Sequence, residues 1–260
     1  MVVRPGRAPT VVARGFRVPL GLTFARQTLY VSTQGALWRV SGGTRRAIVR
    51  GLPYGRHQQD NVVYAGGRLY FGSGSTCDVC RERNRYSATV LSVRPDGTDL
   101  RIEARGLRNP YGLTVGPTGN VYVTINGQDS LGDREPAESV VVLRRGANYG
   151  WPTCWPSFHR QRLSGSCAGV AKPLAYLEPH SAASGIAYWR GALYVTEWGQ
   201  YLSHAHGRKL VRVGLDGRVS VFGTGFVHPL PVIAERTGDA LLVGDHATGV
   251  VYRITLKVHP

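Results

Sequence analysis

Three polar segments of the chain carry side chains whose types and spacing could do chemistry. The first, residues 51–61, places His57 among amide side chains and near Asp60, directly before a run of apolar residues. A histidine whose tautomer is set by a neighbouring carboxylate can act as a general base. A surface histidine bonded to a main-chain carbonyl would give the same local pattern, so the segment alone leaves both interpretations open.

The second segment, residues 106–113, holds Arg108 and Asn109 immediately before Pro110. Because a residue that precedes proline avoids the helical region, these side chains stand on an extended leader into a strand. An arginine fixed in this way suits a bound anion or a developing alkoxide. A buried arginine bonded to loop carbonyls is the structural alternative.

The third segment, residues 126–138, is acidic in a chain that has only 16 Asp and Glu residues in total. Carboxylates and glycine-exposed carbonyls are hard oxygen ligands, which suit calcium better than zinc. The segment lacks the spacing of an EF-hand loop. A solvated acidic loop without a metal would show the same composition, so this alternative stays open.

The elements that must position these segments form a repeat of paired apolar strands. Its five copies begin at Leu29, Leu69, Val121, Leu193 and Leu241, and each consists of two short runs rich in β-branched and aromatic residues. Glycine-containing turns bound the runs, which is typical of antiparallel strands. Repeats of this kind separated by loop insertions predict an all-β propeller. We expect the ring to close by pairing of residues 10–13 with residues 250–256, which removes exposed sheet edges.

Length and charge limit the alternatives. At 260 residues the chain is expected to form one propeller domain over residues 1–260. A net charge of +16 would ordinarily favour polyanions. The arginines, however, are scattered in ones and twos without a basic helix or stacking aromatics, so we expect no specific nucleic-acid partner. No apolar run approaches the ~18 residues of a transmembrane helix.

The four cysteines fall into two local pairs, Cys77 with Cys80 and Cys154 with Cys167. The first pair could be half of a zinc site, but the second lacks the matching spacing that tetrahedral ligation needs. Two loop disulfides are therefore expected, which implies an oxidising compartment. Residues 1–16 show no signal-peptide core, so a removed signal or an intracellular chain with free thiols are both consistent with the sequence.

Taken together, the segments resemble the soluble pyrroloquinoline-quinone-dependent sugar dehydrogenases. The His57 loop, the Gly-Leu-Arg-Asn-Pro leader, the Asn-Gly-Gln-Asp loop and the Asn-Tyr-Gly-Trp-Pro run at 148–152 occur in the order of that family. Residues 74–80 and 179–185 place the chain nearest to the branch similar to sorbosone dehydrogenase. The resemblance covers residues 10–256. It implies a six-bladed propeller, or a reduced one given that five repeats are visible, with quinone and calcium in the central funnel.

The resemblance also implies roles for individual residues. His57 matches the general base, and Arg108 matches the arginine beside the quinone carbonyl. Further cofactor contacts fall on Asn109, Asn126, His180 and Trp198, and the calcium ligands on Gly127, Gln128 and Asp129. The implied reaction oxidises a sugar or alcohol hydroxyl by hydride transfer to the quinone, with an external electron acceptor as partner. A periplasmic or secreted location is implied as well.

One departure from the family keeps other functions open. The late arginines that hold the quinone carboxylates should fall within residues 226–232, where there is none. Because an anionic cofactor needs fixed cations, this predicts weak quinone binding. A non-catalytic binding propeller is the first alternative. A metal-dependent hydrolase or lactonase-like propeller is the second, and its candidate ligands are Glu197, Asn126, Asp60 and Asp245.

Overall fold

The structure, a computed structural model, describes residues 2–4, 6–200 and 205–256, and these residues form strands and turns without a helix. Five antiparallel sheets follow one another along the chain as five propeller blades. Blade 1 is β3 (Pro19–Ala25), β4 (Thr28–Thr33), β5 (Ala36–Ser41) and β6 (Thr44–Arg50). Blade 2 is β7 (Val62–Ala65), β8 (Arg68–Ser73), β9 (Thr89–Val93) and β10 (Arg101–Arg105).

The remaining blades follow the same order from the axis outwards. Blade 3 is β11 (Asn109–Val115), β12 (Val121–Asn126), β13 (Glu138–Val142) and β17 (Ala175–Leu177). Blade 4 is β18 (Ala183–Trp189), β19 (Ala192–Glu197), β20 (Lys209–Gly214) and β21 (Val219–Gly223). Blade 5 is β22 (Pro229–Ala234), β23 (Ala240–Asp245) and β24 (Val251–Thr255). Outside these blades lie β1 (Val2–Arg4) and β2 (Arg7–Thr10), which form a hairpin, β14 (Ala147–Asn148), which pairs with β10, and the hairpin of β15 (Cys154–Ser157) and β16 (Arg162–Gly165).

The five sequence repeats are the second and third strands of the five blades, and the five-bladed form of the fold prediction is confirmed. In blades 2 to 4 these two strands are largely buried, because they lie between neighbouring blades on both faces. Leu37, Leu69, Leu193 and Leu241 are all completely buried. At about 25 cal/mol per Å² of buried apolar surface, this packing between sheets is the main stabilising contribution.

Neighbouring blades approach closely at their first strands, which fixes the loops on the axis. A β-carbon on Gly112 would lie 2.1 Å from the carbonyl oxygen of Ser184, so only glycine fits there. Thr124 Oγ1 donates a hydrogen bond of 2.7 Å to that same carbonyl. Thr196 Oγ1 repeats the contact one blade later, on the carbonyl of Leu230 at 2.7 Å. The segments that precede these first strands therefore converge at one end of the axis.

The expected closure of the ring is wrong for the described residues. Strand β24 pairs only with β23, and Thr10 pairs with Val2 in the N-terminal hairpin. No strand of blade 1 packs closely against blade 5 in this part of the chain. Leu22 and Phe24 of β3 remain 66% and 62% exposed as a result. The described residues include no apolar helix of membrane-spanning length.

Candidate functional site

His57 is held at the axial end of blade 2 by a loop with a buried anchor. The anchor is Gln59, which is fully buried, accepts a hydrogen bond from Gly35 N (2.7 Å) and donates to Pro53 O (2.7 Å). The main-chain N–H of His57 donates to Ser75 O at 3.0 Å. Its ring Nδ1 lies 3.0 Å from Ser75 Oγ. Burial, followed by the charges of Arg108 and Arg56, lowers the pKa of His57 to about 4. The imidazole is therefore neutral at neutral pH, as a general base must be.

Asp60 does not set the tautomer of His57. Its carboxyl group is buried beneath the loop, where Oδ1 accepts a hydrogen bond from Gln58 Nε2 (3.3 Å). Burial raises the pKa of Asp60 to about 8, so the group is protonated at neutral pH. The neighbour of the imidazole is Ser75, which lies 18 residues further along the chain.

Arg108 is a buried cation at the entry to blade 3, with only 4% of its side chain exposed. Its guanidinium donates to Asp78 Oδ1 (2.6 Å), to Asp78 O (3.2 Å) and to Asp129 Oδ2 (3.1 Å). The exposed Arg56 reaches the same oxygen of Asp129 at 2.5 Å. Burial tends to raise the pKa of Asp78, but the N–H of Asp129 and the guanidinium of Arg108 outweigh it and lower that pKa. Two arginines and two carboxylates thus form one ionic network at the mouth of the funnel.

Two asparagines connect the leader of blade 3 to blade 4. Asn109 Nδ2 donates to Asn126 Oδ1 at 3.2 Å, and Asn126 Nδ2 donates to Ala183 O at 2.6 Å. The Oδ1 of Asn109 is buried and has no hydrogen-bond partner in the described part of the chain. Such an unsatisfied acceptor is costly unless a bound group supplies a donor or a cation.

The acidic segment contains a second buried carboxyl group. Glu138 is 5% exposed, and its Oε2 accepts a hydrogen bond of 2.6 Å from Gly127 N. Burial raises its pKa to about 8. The neighbouring Gln128 has a buried Oε1 without a partner among the described residues. Asp129 is bonded to arginines, so its carboxylate contributes to the ionic network described above.

The blade 4 side of the funnel is aromatic. His180 Nε2 donates to Gly132 O at 2.8 Å, and its Nδ1 lies 4.0 Å from Asp129 Oδ1. Trp198 stacks on His228 with ring centroids 3.9 Å apart. His180 and Trp198 line the same cavity as His57 and Arg108.

The cavity between these side chains is open to solvent and has a volume of about 420 Å³. This lies within the range of about 300–1,000 Å³ that is usual for small-molecule sites. The cavity is lined by Arg56, His57, Arg108, Asn126, Gly127, Asp129, Glu138, His180, Ala182, Trp198, Gly199 and Gln200. Of the residues singled out from the sequence, Asn109 lies behind Asn126, and Gln128 lines a smaller neighbouring cavity.

Sequence reasoning missed Arg56, Ser75, Asp78 and Glu138. Asp78 carries the one usable signal, because it lies within the Cys-x-x-Cys segment that the cysteine pairing already predicts to be ordered. Ser75 and Glu138 lie within residues 74–80 and 126–138, which the sequence singled out, but nothing in the sequence distinguishes them from the solvated polar residues expected there.

Both expected disulfides are present, Cys77–Cys80 beside Ser75 and Cys154–Cys167 at the β15–β16 hairpin. The ligands suggested for a metal hydrolase are not brought together. In the described ranges, Asp60, Glu197 and Asp245 form no metal-sized group; the one cluster of such residues is Glu82 with Cys77 and Cys80, whose sulfurs are bonded to each other.

The chain was compared with known proteins. Residues 91–228 match the family model for glucose/sorbosone dehydrogenase. The aldose sugar dehydrogenase YliI of Escherichia coli is 27% identical over 116 residues, which are 42% of this chain and 30% of that protein. The holo pyranose dehydrogenase PQQ domain of Coprinopsis cinerea superimposes with a TM-score of 0.80 at 19% identity, over 96% of this chain and 85% of that one.

A further solved structure, the PQQ-bound aldose sugar dehydrogenase of Streptomyces coelicolor, has a TM-score of 0.66 at 20% identity and covers 96% of both chains. At these identities the two structural matches show a shared propeller fold. The family model spans more than half of the chain, from the third strand of blade 2 to the entry of blade 5, and includes the leader with Arg108 and the acidic segment. The chain belongs to the glucose/sorbosone dehydrogenase family.

Proposed function

We propose that the protein is a dehydrogenase that oxidises a hydroxyl group of a sugar or related alcohol, with pyrroloquinoline quinone as cofactor and calcium as its metal. The observation that carries the proposal is a neutral, half-buried histidine facing a small-molecule cavity beside a buried arginine. Membership of a dehydrogenase family supports an enzyme, and the chemistry below is assigned from the residues of the cavity.

The cavity suits an anionic, planar cofactor. Arg56, Arg108 and His180 lie on its walls, and Trp198 offers an aromatic face. The missing arginines of residues 226–232 have a substitute nearby, because Arg208 reaches across from blade 4 and donates to Val227 O at 2.7 Å. This brings a positive charge to the segment from a different position in the sequence, beside Gln200 of the cavity lining.

Calcium is suited by the oxygen atoms of the acidic segment. The unsatisfied Oε1 of Gln128 and the main-chain oxygens of residues 127–129 are neutral hard donors there. The Glu138 carboxyl group, whose pKa burial raises to about 8, would join them on losing its proton. When bound, the quinone and calcium supply a two-electron acceptor for hydride and a Lewis acid that polarises it.

The protein's own residues would accept the substrate proton and orient the reacting groups. The substrate hydroxyl gives its proton to Nε2 of His57 while the C–H bond on the same carbon breaks, so that a carbonyl forms and both electrons leave with the hydride. Nε2 has no hydrogen-bond partner in the described part of the chain, which leaves its lone pair available. Arg108 would stabilise negative charge that develops on the oxygen of the reacting group beside it. Its guanidinium is suited to this because Asp78 fixes its position before the reaction begins.

The two disulfides are compatible with an extracytoplasmic protein. We therefore also propose a periplasmic or secreted location, with an external electron acceptor as the redox partner.

The test is a dye-linked dehydrogenase assay on protein incubated with pyrroloquinoline quinone and CaCl₂, against a panel of aldoses and alcohols. His57→Gln should lower kcat roughly a hundredfold or more, as expected for loss of a general base, while quinone binding by titration is retained. His159→Gln, which changes an exposed histidine outside the cavity, is the matched control and should be fully active. Absence of both activity and calcium-dependent quinone binding would instead support a non-catalytic propeller.

A further inference from the structure

Ser75 is a buried residue that is bonded to His57 and to the main chain of Arg108. It lies two residues beyond β8 and is completely shielded from solvent. Its main-chain N–H donates to Arg108 O at 2.7 Å, and its carbonyl accepts from His57 N at 3.0 Å. Its hydroxyl oxygen lies 3.0 Å from His57 Nδ1 and donates to Cys77 O at 2.7 Å.

The direction of the two hydroxyl contacts follows from the chemistry of the partners. A carbonyl oxygen only accepts, so the single hydroxyl hydrogen of Ser75 lies on the contact with Cys77. Toward His57, the hydroxyl oxygen must then accept, and Nδ1 must carry a hydrogen. A neutral imidazole has one N–H group, so Nε2 is left with its lone pair.

We propose that Ser75 is the positioning residue that fixes His57 in the Nδ1–H tautomer and so makes Nε2 the proton acceptor. The inference rests on the proposed function for its catalytic consequence, but the tautomer itself is a property of the protein without cofactor. The relay is neutral throughout: imidazole to hydroxyl to the main-chain carbonyl of Cys77. The Cys77–Cys80 disulfide closes a four-residue loop around that carbonyl and limits its movement.

A neutral relay suits the electrostatics of this site. A carboxylate beside Nδ1 would stabilise the imidazolium form and raise the pKa of His57. With a hydroxyl there, burial, together with the charges of Arg108 and Arg56, keeps the pKa of His57 low and the ring neutral. The carboxylates that are present, Asp78 and Asp129, are occupied by those two arginines.

The experiment is long-range ¹H–¹⁵N correlation NMR on histidine-labelled protein without cofactor at pH 7. The His57 signals are assigned by their loss in His57→Gln, since the chain has 8 histidines. We expect a protonated, pyrrole-type Nδ1 and an unprotonated, pyridine-type Nε2. In Ser75→Ala the Nε2–H form should become substantially populated, and Ser75→Thr, which keeps the hydroxyl, should restore the original pattern. Ser87→Ala is the matched control. Ser87 is also buried in the segment between β8 and β9, but its hydroxyl has no partner among the described residues.

In the reconstituted enzyme, Ser75→Ala should lower kcat at least about tenfold with little change in KM, because a wrong tautomer removes the base without removing substrate contacts. Ser87→Ala should leave kcat unchanged. A wild-type His57 in the Nε2–H form would overturn the proposal even if Ser75→Ala failed to fold, and so would an unchanged tautomer in folded Ser75→Ala. An Nδ1–H tautomer in a protein without dehydrogenase activity would refute the proposed function and leave the role of Ser75 in place.

Discussion

The buried carboxyl group of Asp60 makes the stability of this protein fall as pH rises, and replacing it with asparagine should remove that effect. Asp60 is 1% exposed, and its Oδ2 has no partner in the described part of the chain. Burial raises its pKa from 3.8 to about 8. Between these two values the folded protein keeps a proton that the unfolded chain releases. The stabilising effect of this proton is therefore complete below about pH 4 and is lost as pH rises through 8.

The magnitude follows from the size of the pKa shift. Each pH unit inside that window costs about 1.4 kcal/mol of unfolding free energy. From pH 5 to pH 8, and allowing for partial ionisation near pH 8, wild-type protein should lose about 3 to 4 kcal/mol through this group. Asp60→Asn has no titrating carboxyl group there, so the variant should gain that amount relative to wild type over the same interval.

The assay is equilibrium unfolding in urea at pH 5, 6, 7 and 8, with the disulfides intact. Comparing the variant with wild type at each pH cancels the contributions of Glu138, Glu197 and His57. Asp216→Asn is the control, because that side chain is 60% exposed, and its curve should run parallel to wild type. If the difference between Asp60→Asn and wild type is the same at pH 5 and pH 8, Asp60 is ionised in the folded protein and the reasoning is wrong.

Three further outcomes are expected. Because the pKa of His57 is lowered to about 4, kcat/KM of the reconstituted enzyme should rise through about pH 4 and be level from pH 5 to 7; an acid limb near pH 6.5 would contradict this. A β-carbon on Gly74 would lie 2.4 Å from the β-carbon of His57, so Gly74→Ala should displace the imidazole, lower kcat and cost about 1–3 kcal/mol of stability in a urea melt; unchanged kcat would show that the loop yields freely. The Cys154–Cys167 bond joins residues 13 apart, so a double alanine variant should lose about 3 kcal/mol, and an unaltered midpoint in urea would refute that contribution.

The sequence predicted the strands that carry a continuous apolar run. The repeats at Leu29, Leu69, Val121, Leu193 and Leu241 are the second and third strands of their blades, whose apolar runs are continuous. First and fourth strands were harder to recognise, because β3 and β21 leave many side chains in solvent and carry no such run. Closure of the ring could not be judged at all from local pattern, since pairing between distant strands depends on how each terminal segment satisfies its own hydrogen bonds.

The sequence singled out several residues that line the cavity, but it did not predict the contacts that hold them in place. His57 and Arg108 were singled out by their polar segments and His180 by the family resemblance, and all three line the cavity. The partner of His57 was sought at Asp60, which is close in sequence, whereas the contact is made by Ser75 after an entire hairpin of blade 2. Similarly, the charge beside residues 226–232 comes from Arg208, which only the packing of blade 4 against blade 5 brings there.

The residues that line the cavity come from different blades, and this affects how the substrate range of the protein can change. His57 and Arg108 are tied to each other through one main chain at the junction of blades 2 and 3. Ala182, Trp198, Gly199 and Gln200 face them from the loops of blade 4 and share none of those bonds. Substitutions on the blade 4 side can therefore reshape the space offered to a substrate while the reactive pair keeps its alignment, so a directed-evolution library should be built there.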